Sequence, residues 1–405
     1  MSRAAADNSA SSMVNHPLTV KCLQKYTPIM STPAKCILIL IFAAALVGCD
    51  IGLNAGRDTN IDVDVDTAAN EDPNSDTHWY TKNPNALTFY ISTAAELAEL
   101  AQIVNGTHTT IRPLSDFYGK TITLTADIDL AAYGEGYNDD KGWIPIGRFS
   151  TERSFRGAFN GGRHKITGLY INNGQQYTGL FGYVNGGRVE NLGIIEADIT
   201  GAGNTGGIIG GVANGGIVRY CYATGSITGT GNSVGGIAGS VVNGGALSNC
   251  YSTGDVTGNY YVGGIAGNIE NGTVSNCYAT GAVIGNMRTG GVTGYHNSST
   301  VQNCAALNPT VKGGGSLTGR VSGEGGSFIN NCAFAGMGAD GGAAFPSGSG
   351  VNHINGADIT KEAIAADGAI GGRFTTVNGW TVQNGRLPGL FGETVELPEH
   401  LSTAS

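Results

Sequence analysis

Short apolar runs framed by glycine recur along the middle of the chain. "GLFG" begins at 179, "GIIG" at 207, "GIAG" at 236 and again at 264, and "GVTG" at 291, giving spacings of 28, 29, 28 and 27 residues. Asn185, Asn214, Asn243, Asn271 and Asn297 follow these runs, four of them directly before glycine, and Cys221, Cys250, Cys277, Cys304 and Cys332 recur at 29, 27, 27 and 28. Each unit predicts a short apolar strand, an Asn-Gly corner, a strand ending in cysteine, a Thr-Gly corner and a third short strand. Asn and Gly suit the corners because both tolerate positive φ. Three strands and three corners in about 28 residues fit one coil of a parallel β-helix, in which successive coils pair about 4.8 Å apart. An antiparallel sandwich would not need the same residue at the same step of every unit. The predicted fold is all-β, a single-stranded right-handed parallel β-helix.

Upstream, "ISTAAELAELAQIVNG" at 91–106 has a different period. Thr93 and Glu96 form a capping box, Leu97, Leu100, Ala101 and Val104 share one face, and Asn105-Gly106 ends the pattern, so a helix is expected over 92–105. A lone amphipathic helix needs a surface to lie on, and it is expected to cap the open end of the coils. Alternating runs at 120–130 and 154–171 predict the first coils, within 78–177. The repeats then occupy 178–342, residues 343–395 are expected to close the far end, and 396–405 form a tail.

Composition supports this picture and removes others. Glycine contributes 67 of 405 residues and charged residues only 13%, which suits neither a helical bundle nor a typical disordered chain. The net charge of −9 is local. Residues 50–76 hold Asp50, Asp58, Asp62, Asp64, Asp66, Glu71, Asp72 and Asp76 against Arg57 alone, a balance of −7. Residues 50–77 are expected to be an extended, disordered acidic tether. No basic stripe remains to follow a phosphate backbone, so nucleic acid is not an expected partner.

"MSTPAKCILILIFAAALVGCD" begins at Met30. Lys35 supplies a positive start, Ile37–Ala45 an apolar run too short to span a bilayer, and Leu46-Val47-Gly48-Cys49 a small-residue cleavage site. The segment resembles a bacterial lipoprotein signal peptide. That resemblance implies that Cys49 becomes the acylated first residue, that Met30 is the true start, and that the membrane is a partner through this anchor.

Catalytic motifs are present only as fragments. "GNSVG" at 231–235 matches G-x-S-x-G and "GAGNTG" at 201–206 matches G-x-G-x-x-G, but each falls inside a repeat instead of a strand-turn-helix. "GKT" at 119–121 lacks the preceding P-loop glycine, "DVDVD" at 62–66 lacks the EF-hand Gly and Glu, and H-E-x-x-H does not occur. A sugar-cleaving site would need paired carboxylates on one face. The first coils offer Asp116, Asp127, Asp129, Glu152, Arg153, Arg156 and His164 for such a site. His164 is expected instead to hydrogen-bond to neighbouring coils.

"GLFGYVNGGRVENL" (179–192), "GGIAGSVVNGGALSNCYSTGDVTG" (235–258) and "GGIAGNIENGTVSNCYATGAVIG" (263–285) resemble the GLUG motif, a repeat of bacterial cell-surface proteins. The resemblance implies a surface-exposed β-helix of adhesin-like proteins, also found beside enzymatic domains such as the immunoglobulin A peptidases. It brings no catalytic site with it. The expected function is a lipid-anchored, non-catalytic adhesin or recognition module for glycans or surface proteins on the bacterial envelope, with no cofactor or metal. A carbohydrate-active enzyme and a structural spacer are the alternatives. Tyr177, Tyr183, Tyr260 and Tyr261 are candidate ligand contacts, because aromatic faces among amides and hydroxyls suit sugars and protein surfaces. The five repeat cysteines are expected to form a buried ladder, each followed by a tyrosine or a small residue.

Overall fold

The computed structural model describes residues 78–111, 115–314, 317–339 and 344–403, all inside one compact unit that spans 77–405. The expected signal peptide, Cys49 and acidic tether lie outside the described residues. The repeating strands wind into a parallel β-solenoid of about seven turns. Like stacks on like. Phe89, Ile122, Phe159, Val189, Val218, Leu247, Val274, Val301 and Phe328 pair in register down one interior column. Burying one such side chain stabilises by roughly 1.5–3 kcal/mol, so each coil adds its own share and needs its neighbours to do so.

The corners explain the polar letters of the repeat. Asn191, Asn249, Asn276, Asn303 and Asn330 all sit in the left-handed region, with φ between 52° and 57°. Tyr220 occupies the same step at φ 51°. A second corner column runs through Gly186, Asn214, Asn243, Asn271 and Ser298. Asn185 and Asn297 do not belong to it, contrary to the expected alignment of asparagines. They pair one step earlier, in the column of Ala213, Val242 and Glu270. The framing glycines answer a separate need. A Cβ at Gly236 would stand 2.3 Å from the Gly264 carbonyl, and one at Gly239 would stand 2.2 Å from the Asn204 backbone.

The helix forms as expected, over Ala94–Asn105, with the Thr93/Glu96 capping box and Gly106 in the left-handed conformation. It follows the strand Thr88–Ile91, which pairs with Thr121–Leu124 as the first rung. Leu97, Leu100, Ile103 and Val104 are buried in the shared core. Buried Asn105 fastens the helix end, donating to Pro145 O at 2.8 Å and accepting from Gly147 N at 3.0 Å.

The C-terminal residues do more than close the far end. A last rung, Ala357–Ile359, pairs with Cys332–Phe334, and a short helix, Lys361–Asp367, follows. The chain then returns along the outside of the coils. Arg373 reaches Asn330 O at 3.1 Å, Tyr278 donates to Pro388 O at 2.5 Å, and Glu393 meets Lys165 Nζ at 2.8 Å, far up the solenoid. Phe374, Trp380 and Phe391 on this strap lie against Tyr222, Tyr251 and Tyr278. Those rings stand on the outer wall, and the strap keeps them from water.

One interior column breaks its pattern. Val184, Val212, Val241 and Ile269 are followed by His296, which is 1% exposed. Burial pushes the His296 imidazole down to about 4. The native state therefore keeps it neutral, while the unfolded chain takes up a proton first as pH falls. Its stabilising contribution is complete above about pH 6.5 and is lost between there and about pH 4, at a total of about 3 kcal/mol. His296→Val should flatten the fall in denaturation midpoint across that pH window. An unchanged acid profile would show that His296 does not cause it.

Candidate functional site

The cysteine and tyrosine of "NCYATG" part company at the corner. Side chains alternate across a strand, so the cysteine turns inward and the tyrosine outward. Cys221 pairs with Leu192, and Cys221, Cys250, Cys277 and Cys304 are buried. Each thiol donates to the carbonyl two residues before it, at 3.1–3.2 Å. Outside, Tyr222 stacks on Tyr251 with ring centroids 4.8 Å apart and 2° between planes, and Tyr251 stacks on Tyr278 at 5.2 Å and 4°. Gly193 ends the stack, because a Cβ there would lie 2.4 Å from the Tyr222 ring.

Cys332 is not in the cysteine column. It pairs with Ala305, in the column of the tyrosines, while Asn331 takes the step after Cys304. Asn331 is fully buried and donates to Val301 O at 2.8 Å while accepting from Cys304 N at 2.9 Å. The corner asparagines step by 27 residues from Asn303 to Asn330, whereas Cys304 and Cys332 are 28 apart. That extra residue was the signal. The five repeat cysteines are free thiols, and no group of three or more metal-binding side chains occurs among the described residues.

Among the candidates for sugar cleavage, Asp116, Asp127 and Asp129 are engaged locally. Asp116 takes Arg156 at 3.2 Å and the Tyr118 backbone at 2.9 Å. Asp127 accepts from Lys165 N at 2.9 Å and meets His164 Nδ1 at 3.0 Å. These contacts, the Lys165 backbone first, hold the Asp127 carboxyl below its usual value, opposite to what a general acid needs. Asp129 closes a local turn on Ala131 N at 2.9 Å. Glu152 and Arg153 lie on the surface loop at 147–154. Ser233 of "GNSVG" occupies a left-handed corner at φ 65° inside the solenoid sheet.

One cluster has no sequence signal. Glu99 receives His78 Nε2, Trp79 Nε1 (2.8 Å) and His108 Nε2 (2.8 Å). Both imidazole Nδ1 atoms accept from backbone N–H groups, His78 from Thr81 at 3.2 Å and His108 from Ile111 at 3.0 Å. In the neutral rings the proton therefore sits on Nε2 and is given to Glu99. No bare ring nitrogen is left to bind a metal. Through Glu99, His78 and Trp79 clasp the start of the compact unit to the helix, and His108 fastens the segment that leaves it.

The aromatic candidates fall on one outer face. Tyr177, Asn204, Ser233, Tyr261 and Arg288 occupy a third left-handed corner column, in successive coils. The neighbouring column runs Tyr183, Gly211, Ser240, Asn268, Tyr295 and Glu324. Tyr177 stacks on Phe149 at 4.8 Å and 8°, and Tyr183 meets both edge-on. Tyr183 is only 7% exposed and presents little surface, whereas Phe149 is 63% exposed. Phe149 lies in the loop at 147–154, outside the repeats, where no periodicity marked it. Tyr260 stands beside Tyr261 and is 36% exposed. Tyr261 packs on Tyr295 at 5.3 Å, and the Arg288 guanidinium lies over both rings while pairing with Glu324.

The GLUG motif matches three consecutive stretches, 201–228, 230–257 and 258–284. These coils are GLUG repeats. The chain is also 32% identical over 136 residues to halomucin of Haloquadratum walsbyi, a match covering 33% of this chain and 1% of that protein. Among solved structures, it superimposes on a Bacteroides ovatus protein provisionally described as an immunoglobulin A1 protease. That match has a TM-score of 0.56 at 20% identity, over 76% of this chain and 93% of the other. It supports the solenoid fold of the GLUG coils and nothing about their chemistry. No helix among the described residues is long and apolar enough to cross a membrane.

Among the five repeat thiols, burial pushes Cys221 and Cys277 well above their usual value and Cys332 up to about 11, whereas at Cys250 hydrogen bonds from Cys221 and Cys277 outweigh burial and hold its thiol well below. Mass-mapped iodoacetamide labelling of the purified chain should leave these five positions unmodified until denaturant is added. Rapid native modification at Cys250 or Cys277 would contradict their burial.

Proposed function

We propose that this chain is a recognition module displayed on a bacterial cell surface, tethered by an acylated Cys49 and acting without catalysis. The observation that carries the reading is the outer face at Tyr177, Tyr260 and Tyr261. Aromatic rings and amides stand there in fixed register on a rigid scaffold, which is what reversible binding requires. The GLUG coils and the apolar run ending in Gly48-Cys49 support surface display. The engaged carboxylates of the first coils favour binding over sugar cleavage. A protease reading, suggested by the name of the B. ovatus protein, finds no H-E-x-x-H in this sequence.

The full chain should incorporate labelled palmitate and partition with the membrane fraction, and Cys49→Ala should remove both properties. Cells displaying the full chain should adhere to a glycan or protein surface, and adding the purified chain should compete. Release of reducing or unsaturated sugar ends from a polysaccharide panel would instead identify an enzyme. Display with neither adhesion nor sugar release would leave a spacer.

A further inference from the structure

We infer that the outer face carries a binding strip for one uncharged, linear polysaccharide chain lying parallel to the solenoid axis. The inference rests on the recognition reading above and names its ligand class. Two aromatic platforms mark the ends of the strip. At one end Phe149 is stacked on Tyr177. At the other, Tyr261 packs against Tyr295 beneath the Arg288 guanidinium. Tyr177 and Tyr261 occupy the same corner column three coils apart, a separation of about 14 Å at the spacing of paired strands.

Between the platforms the side chains shrink. Asn204 and Ser233 fill the corner column and Gly211 and Ser240 the column beside it. Ser233 and Ser240 are buried and form the floor, so the amides of Asn204 and Asn232 supply the polar contacts. Asn232 stands exposed at the middle, next to Ser233. Large rings at both ends and small polar groups between them make a saddle, open along the axis and shallow across it. A ligand seated there must be extended. Its two ends must offer apolar faces to the rings, and its middle must accept or donate hydrogen bonds to amides. A sugar polymer has both properties in every residue.

Charge selects within that class. The only charged groups in the two columns are Arg288 and Glu324, and they are paired with each other. A polyuronate or sulfated chain would find no unpaired cation within these two columns. Arg148, Glu152 and Arg153 flank Phe149 on its loop, so a contribution from them would reveal itself as salt dependence.

The test is affinity electrophoresis of the purified full chain through gels containing laminarin, galactomannan or xyloglucan, with polygalacturonate as the charged probe. At least one neutral polymer should retard the chain, with the same strength at low and high salt. Phe149→Ala and Tyr261→Ala should each weaken retardation about tenfold, the scale of one aromatic contact. Asn232→Trp should abolish it while both platforms remain. Equal thermal midpoints would establish that the three substitutions leave the fold intact. Retardation by polygalacturonate alone, by none of the neutral polymers, or equally in all variants would overturn the inference. If cells then still adhered to protein-coated plates in a Phe149-dependent way, the recognition reading would stand with a protein ligand. Loss of all adhesion would remove both.

Discussion

The inter-coil ladder of parallel backbone hydrogen bonds governs this molecule. A parallel ladder holds equivalent residues of successive coils at one spacing, so whatever occupies a step must tolerate its own kind above and below. Apolar side chains stack into a continuous core, asparagines turn corner after corner, and tyrosines lie face to face. The same ladder excludes bulk where backbones touch, which is why both framing glycines of "GIAG" persist. The repeat is thus the imprint of one physical constraint applied many times.

Departures from that constraint are informative because each carries a local cost or a use. Asn331 in the cysteine column satisfies its amide with two backbone bonds as the coils approach the last rung. His296 in a valine column has no such full compensation and stays uncharged in the native state. The tyrosine stack places large rings on the outer wall, and the returning C-terminal strap buries them with Phe374 and Trp380. That strap links coils that the ladder alone would join only through their neighbours, from Asn330 back to Lys165.

The outer face follows the same rule with a different outcome. A corner column must accept positive φ, and here residues of very different size and polarity do so. Tyr177, Asn204, Ser233, Tyr261 and Arg288 share that freedom. A solenoid can therefore vary its surface at corners while its interior stays constant, and here the variation places aromatic groups at both ends of a small polar stretch. Binding groups on such columns are held by the stiffest part of the fold.

Local pattern alone determined the solenoid, its coil length, the helix Ala94–Asn105 and the burial of the cysteines, because pattern and stacked geometry demand the same residues. It could not determine what lies one step off the period. Cys332 matched the cysteine spacing to within one residue, yet that residue moves it to the other side of the strand. Asn185 and Asn297 slipped out of the corner column for the same reason. Contacts between segments apart in the chain were equally invisible: the strap on the tyrosine stack, Phe149 on Tyr177, and His78 on Glu99. Spacing encodes only neighbours that recur. These contacts form once, between parts of the chain with no common period, and only the closed three-dimensional path brings them together.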